Sequence, residues 1–326
     1  MIELDEKGCL AAFDYFKERG WLKEDEEVLL FEKAGEGNMN VVLRLKTRSR
    51  SVVIKQSRPY VEKYRQVPAP LERITVEHAF YEKTATLEYV KALSPRILDF
   101  DPTNYVLLME DLGEGTDFLG LYQNPVITNE TLDVLVDYAL ALHSAEVSDF
   151  PDNAAMKALN HEHIFVYPFL ENNGFDLDSV QKGLQPMAMR YKQDKKLKAQ
   201  LEILGKRYLN KGSVLLHGDF YPGSWIAFAD EVKVIDPEFA FLGDAEFDLA
   251  VMCAHLKMAQ MAKEQIQYVL NRYTEKRSLN KALFDQFVSV EVLRRIVGLA
   301  QLPLQLSLEE KEHLLDEAKN TLLNYA

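Results

Sequence analysis

Near the start of the chain, three short runs carry closely spaced apolar residues: "EVLLFEK" (27–33), "NVVLRLKT" (40–47) and "SVVIKQS" (51–57). Their β-branched content, and the Gly-containing or polar turns between them, predict strands of an antiparallel meander. The period then lengthens. After the Pro-rich break "VPAP", residues 71–90 place apolar side chains at helical intervals, and "PRILDFD" (95–101) and "NYVLLME" (104–110) return to strand. The N-terminal third is therefore expected to hold an antiparallel sheet of about five strands and one helix. From "NETLDVLVDYALALHSAEV" (129–147) onward the long patterns are mostly helical, interrupted by "SVLLHGD" (213–219), "SWIAFA" (224–229) and "VKVID" (232–236). Those three runs predict one small sheet at the core of a helical lobe. The stretch "GEGT" (113–116) lies where the pattern changes, so the expected domains are 1–112 and 113–326 of an α+β, two-lobed chain.

Composition narrows the class. The 326 residues, 47% of them apolar, can fill a sizeable core. With 38 basic against 51 acidic residues the formal charge is −13, which argues against general binding to nucleic-acid backbones or anionic membranes and leaves small substrates open. Cys9 and Cys253 are too few for a disulfide framework or a Cys-based zinc site, and "MIELDEKGCLAAFDYF" lacks a basic start followed by an apolar block. The expectation is a reduced, cytoplasmic protein. Even "VSVEVLRRIVGLAQLPL" is split by Arg294 and Arg295 and cannot serve as a membrane span. His161 and His163 form a His-x-His without a third ligand and read as ordinary histidines.

The turn "AGEGNMN" (34–40) between two predicted strands could lay backbone N–H groups over a polyphosphate, with Gly35 and Gly37 permitting close approach. A Gly-x-Gly hairpin can equally be only a turn. One hairpin later Lys55 ends an apolar strand, as a phosphate-binding lysine or as a lysine snorkelling off a strand end. The following helix offers Glu77 to hold it, among Ile74, Ala79 and Phe80; the alternative for Glu77 is an exposed i, i+4 pair with Arg73. Further on, "LLHGDFYPGSW" (215–225) has the order of a phosphotransferase catalytic loop, His/x/Asp, with Asp219 in place. Ser224 stands where such loops carry a magnesium-binding Asn. "VKVIDPEFAF" then ends a strand with Asp236, and on extended backbone Glu238 would point to the same side. Two carboxylates suit magnesium and a phosphate group, so Glu238 is read as replacing the Asn, with the Ser224 hydroxyl secondary.

These residues resemble the aminoglycoside phosphotransferase and choline kinase superfamily, which is related to protein kinases, and within it the methylthioribose kinases. The likeness rests on "GEGNMN", "SVVIKQSRPYV", "LLMEDL", "HGD" followed by "GS", "IDPEFAF" and "RRIVGLA" (294–300), while "LGDAEFDLA" (242–250) follows the general Gly-Asp form of the superfamily. The resemblance implies a protein-kinase-like fold and transfer of the γ-phosphoryl of ATP, with Mg2+, to a hydroxyl of a small sugar-like metabolite. It implies Gly35, Gly37, Asn40 and Lys55 on the nucleotide, Glu77 as partner of Lys55, and the backbone of Glu110 and Leu112 at adenine. Asp219 would be the base, Asp236 and Glu238, with Ser224, the metal ligands, and Arg294 and Arg295 a pair near the substrate. For Arg295 a simple i, i+4 pair with Glu291 is the other reading. A homodimer is implied by the resemblance alone. Aminoglycoside, fructosamine or choline-type acceptors, and an inactive nucleotide-binding scaffold, are the alternatives.

Overall fold

The computed structural model describes residues 2–35, 39–147, 149–229 and 231–325. The chain divides into two units, residues 1–115 and 116–326. In the first unit a helix, α1 (Cys9–Glu18), precedes strands β1 (Val28–Lys33), β2 (Val41–Thr47), β3 (Ser51–Gln56), β4 (Tyr60–Val61) and β5 (Tyr64–Pro68). Helices α2 (Arg73–Thr84) and α3 (Glu88–Ala92) and strands β6 (Ile97–Asp101) and β7 (Val106–Glu110) follow. The main sheet has five antiparallel strands in the order β1-β2-β3-β7-β6, as the strand pattern predicts. One of its faces is covered by α1: Leu43, Leu45, Val52, Ile54, Val106 and Leu108 pack against Ala12, Tyr15 and Phe16. Side chains alternate across a strand, so Lys55, next to Ile54, faces the other way.

Two local expectations are corrected. The helix expected over 71–90 is two helices. Thr84 Oγ1 donates back to the Phe80 carbonyl at 2.8 Å, and Leu87 takes extended angles (φ −89°, ψ 91°) before α3. The stretch before the Pro-rich break forms the β4–β5 hairpin, whose second strand takes in Val67 and Pro68 of that break. It is tied down by Arg73, fully buried, which donates to the carbonyls of Arg58 (2.7 Å), Pro70 (2.6 Å) and Met39 (2.8 Å).

The second unit is mainly helical. Its helices are α4 (Asn129–His143), α5 (Ala154–His161), α6 (Leu184–Lys192), α7 (Lys195–Leu209), α8 (Glu246–Met258), α9 (Lys263–Lys276), α10 (Lys281–Val297) and α11 (Leu308–Asn324). Strands β8 (Thr116–Asp117), β9 (Val214–Leu216), β10 (Trp225–Ala227), β11 (Val232–Val234) and β12 (Phe241–Gly243) are all short. They form two ladders, β11-β10-β8 and β12-β9, where a single sheet was expected. The strand before the His-Gly-Asp segment thus pairs with the strand after Asp236-Pro-Glu, Phe241 opposite Leu216, and this pairing brings the two loops together. Among the described residues, no helix is long and apolar enough to cross a membrane.

Candidate active site

In the first unit, Lys55 Nζ lies 2.7 Å from Glu77 Oε2, and the two side chains are 3% and 0% exposed. A buried ion pair tolerates the loss of one partner poorly, because the other charge stays in the interior. Lys55→Met or Glu77→Leu alone should therefore lower the unfolding free energy by about 3–5 kcal/mol, and the double replacement should recover most of it. Chemical denaturation of the four proteins measures the difference. Of the other candidates in this unit, Gly37 lies outside the described residues, and Gly35 has open space around a Cβ. Asn40 is internal, 2% exposed, its Oδ1 accepting from Arg73 Nε (2.9 Å) and Ser57 Oγ (3.2 Å). That gives it a part in the turn's own framework. Glu110 ends β7 with its N–H on the Arg96 carbonyl (2.9 Å), and half-buried Leu112 follows Asp111, which Arg44 grips at 2.7 and 3.0 Å.

In the second unit β9 runs into His217, Gly218 and Asp219. Gly218 has φ +82°, and a Cβ there would lie 2.1 Å from the Phe239 carbonyl oxygen, so glycine is required twice over. The loop is held by Asp248, 1% exposed in the first turn of α8, whose Oδ2 accepts from His217 N–H (2.7 Å) and Oδ1 from Gly218 N–H (2.9 Å). Behind it His143 Nε2 is 3.3 Å from Asp248 Oδ2, and His143 Nδ1 is 2.7 Å from the Tyr273 hydroxyl. Sequence reading passed over Asp248; a lone acid inside the apolar run "FDLAVMCA" was its available signal. His217 Nε2 is 3.0 Å from the Ile235 carbonyl, which fixes the Asp219 loop to the residue preceding Asp236.

Asp236 and Glu238 lie differently from the expectation. Asp236 adopts a left-handed conformation (φ 63°, ψ 52°), and Pro237–Phe239 form a 3-10 turn, so the same-side argument from extended backbone does not apply. A non-glycine residue in that region costs on the order of 1–3 kcal/mol and persists where the surroundings fix it. The turn that follows is braced by Asn153, which donates through Nδ2 to the carbonyls of Glu238 (3.0 Å) and Ala240 (2.9 Å). The turn leaves Asp236 exposed and Glu238 buried. Two carboxylates so close in sequence are hard-oxygen donors and fit magnesium in kind. Among the described residues, no group of three or more His, Cys, Asp or Glu side chains is arranged to hold a metal. Ser224, grouped with the metal ligands on sequence, is 2% exposed and its hydroxyl donates to the Asp219 carbonyl at 2.8 Å, closing the loop on itself.

The arginine pair lies on α10. Glu291 holds both: Arg294 through Nε (2.5 Å) and Nη2 (2.8 Å), Arg295 through Nε (2.9 Å). Position i−3 on the same helix thus supplies Arg294 with a polar partner. Arg295 reaches further, with Nη2 3.8 Å from Asp219 Oδ1 and its guanidinium 5.1 Å from the Tyr221 ring centroid. Burial pushes the Asp219 carboxyl up to about 6, against the pull of Arg295 and Arg294 and with Glu291 and Glu238 adding to the rise. Burial works against ionised Glu291 as well, but Arg294 and Arg295 hold it well below the usual range. A carboxylate with this affinity for a proton, ionised at neutral pH and flanked by a guanidinium, can accept a hydroxyl proton while the cation steadies developing charge.

The chain is 28% identical to a methylthioribose kinase of Exiguobacterium sibiricum, over 84% of this chain and 74% of that protein. It is 27% identical to a methylthioribose kinase of Bacillus mycoides, over 78% and 67%. Among solved structures, LicA in complex with AMP superposes with a TM-score of 0.57 at 16% identity, over 96% of this chain and 98% of that one, which shows a shared fold. The profile of the phosphotransferase enzyme family matches residues 31–279, well over half of the chain, so the chain belongs to the phosphotransferase enzyme family.

Proposed function

We propose that the chain transfers the γ-phosphoryl of ATP to a hydroxyl of a small, sugar-like acceptor without a positive charge, with 5-methylthioribose the first candidate. The observation that carries the acceptor class is Arg295 beside Asp219, 3.8 Å from the carboxylate. An acceptor hydroxyl that meets Asp219 also meets that guanidinium. Sugar hydroxyls take charge-assisted hydrogen bonds from arginine, whereas the ammonium group of choline or an aminoglycoside would be repelled. The methylthioribose kinases among the relatives point the same way.

In this reading Asp219 accepts the hydroxyl proton and orients the oxygen for attack. Lys55, held by Glu77, takes nucleotide phosphates; Gly35 and Gly37 are assigned to the same phosphates, and the backbone of Glu110 and Leu112 meets adenine. Asp236 and Glu238 would hold magnesium, which when bound offsets phosphate charge. Ser224 keeps the Asp219 loop closed. The test is an ATP-consumption assay with purified protein against 5-methylthioribose, ribose, choline, ethanolamine, a fructosamine and an aminoglycoside. Turnover is expected with the methylthio sugar and not with the amines. Preference for any cationic acceptor would overturn the assignment of Arg295.

A further inference from the structure

We propose that His255 is a positioning residue for Arg295, acting through Glu291 and oriented by the Tyr122 hydroxyl. The inference rests on the reading that Arg295 faces the acceptor beside Asp219. His255, on α8, is fully buried, with Nδ1 2.5 Å from the Tyr122 hydroxyl and Nε2 2.9 Å from Glu291 Oε1. A carboxylate only accepts, so the ring hydrogen is on Nε2; Nδ1 then accepts from Tyr122. Burial pushes the imidazole down to about 4, with the Glu291 hydrogen bond opposing, so the ring is neutral at pH 7. That single tautomer satisfies both neighbours.

The consequence falls on Glu291. Its Oε1 takes His255, Arg294 Nη2 and Arg295 Nε, while Oε2 takes Arg294 Nε. A donor arriving from another helix fixes the rotation of this carboxylate, and the carboxylate fixes where the Arg295 guanidinium points. Tyr221 closes the arrangement, its ring centroid 5.1 Å from the His255 ring and 5.1 Å from the Arg295 guanidinium. Packing alone does not call for an imidazole here. Around it on α8, Met252, Cys253, Ala254 and Leu256 are all buried, and an apolar residue would fill the space without burying two polar nitrogens.

Steady-state kinetics with MgATP and 5-methylthioribose, or the acceptor returned by the panel above, test the proposal on four variants. Arg295→Gln should lower kcat/KM for the acceptor about a hundredfold, and His255→Phe about ten- to a hundredfold, with KM for ATP unchanged. The double variant should be no worse than Arg295→Gln. His255→Gln, whose amide can still donate to Glu291, should recover most of the loss. If Arg295→Gln is silent, the reading of Arg295 fails. If Arg295→Gln is impaired but His255→Phe is not, or the two losses multiply, the relay fails and that reading stands. Should His255→Phe not fold, Tyr122→Phe, which removes one hydroxyl, decides: a several-fold loss that vanishes in the Arg295→Gln background supports the relay, and wild-type kinetics overturns it.

Discussion

Asp219→Asn should lower turnover about a thousandfold, the middle of the range for removing a general base, and in the same protein raise the melting temperature at pH 8. Both effects come from one property. The carboxyl of Asp219 has its pKa raised from 3.8 to about 6 in the folded chain, burial being the largest cause. The folded state therefore holds this proton more tightly than the unfolded chain. As pH rises through the window between those values, the unfolded chain releases it first, stability falls, and it stays lower above pH 6. A shift of that size corresponds to at most about 3 kcal/mol, and 28% side-chain exposure favours the lower part of that range. An amide has no charge to desolvate, so the gain should be present at pH 8 and absent at pH 4. Thermal unfolding without nucleotide and with a chelator, at both pH values, measures it beside the kinetic loss. Near wild-type turnover would remove Asp219 from the role of base.

The second large effect is expected at Asp248. Asp248→Ala removes the acceptor of two backbone N–H groups, those of His217 and Gly218, and a neighbour of buried His143. Each stranded donor costs about 1–3 kcal/mol, so a loss of about 2–6 kcal/mol is expected together with a collapse of turnover, because the loop carrying Asp219 loses its anchor. Asp244→Ala is the control. Asp244 pairs with Arg207, whose side chain is 51% exposed, and such pairs contribute about 1 kcal/mol or less. Urea unfolding of the two variants separates them; equal losses would mean that the grip on the loop lies elsewhere.

Where local pattern decided the outcome, the sequence could be read. The five strands of the first sheet follow from β-branched runs, while the pairing of Lys55 with Glu77 is one of two readings that the sequence leaves open, and the burial of Glu77 on α2 decides it. Helix α1 was invisible for a physical reason: Gly8 precedes it, no side chain caps it, and Phe16 gains its place only by docking on the sheet. The pairing of β9 with β12 rather than β10 is a tertiary choice that three-residue strands do not announce. Asp236 in a left-handed conformation defies propensity, and the turn after it is braced by Asn153, far away in sequence. Asp248 and His255 were equally hidden: each reads as a polar interruption in a helix until the groups it binds are folded against it.

The contact between Gly218 and the Phe239 carbonyl bears on how this protein can change. The two carboxylate-bearing loops meet there backbone against backbone, without a side chain between them that could be traded for a larger or smaller one. Evolution or laboratory selection can therefore recolour the walls of the second unit, but has no gradual route to altering the distance between Asp219 and Asp236 at this point. New acceptors have to be gained through residues that line the chemistry, and the separation of its two acidic loops is inherited whole.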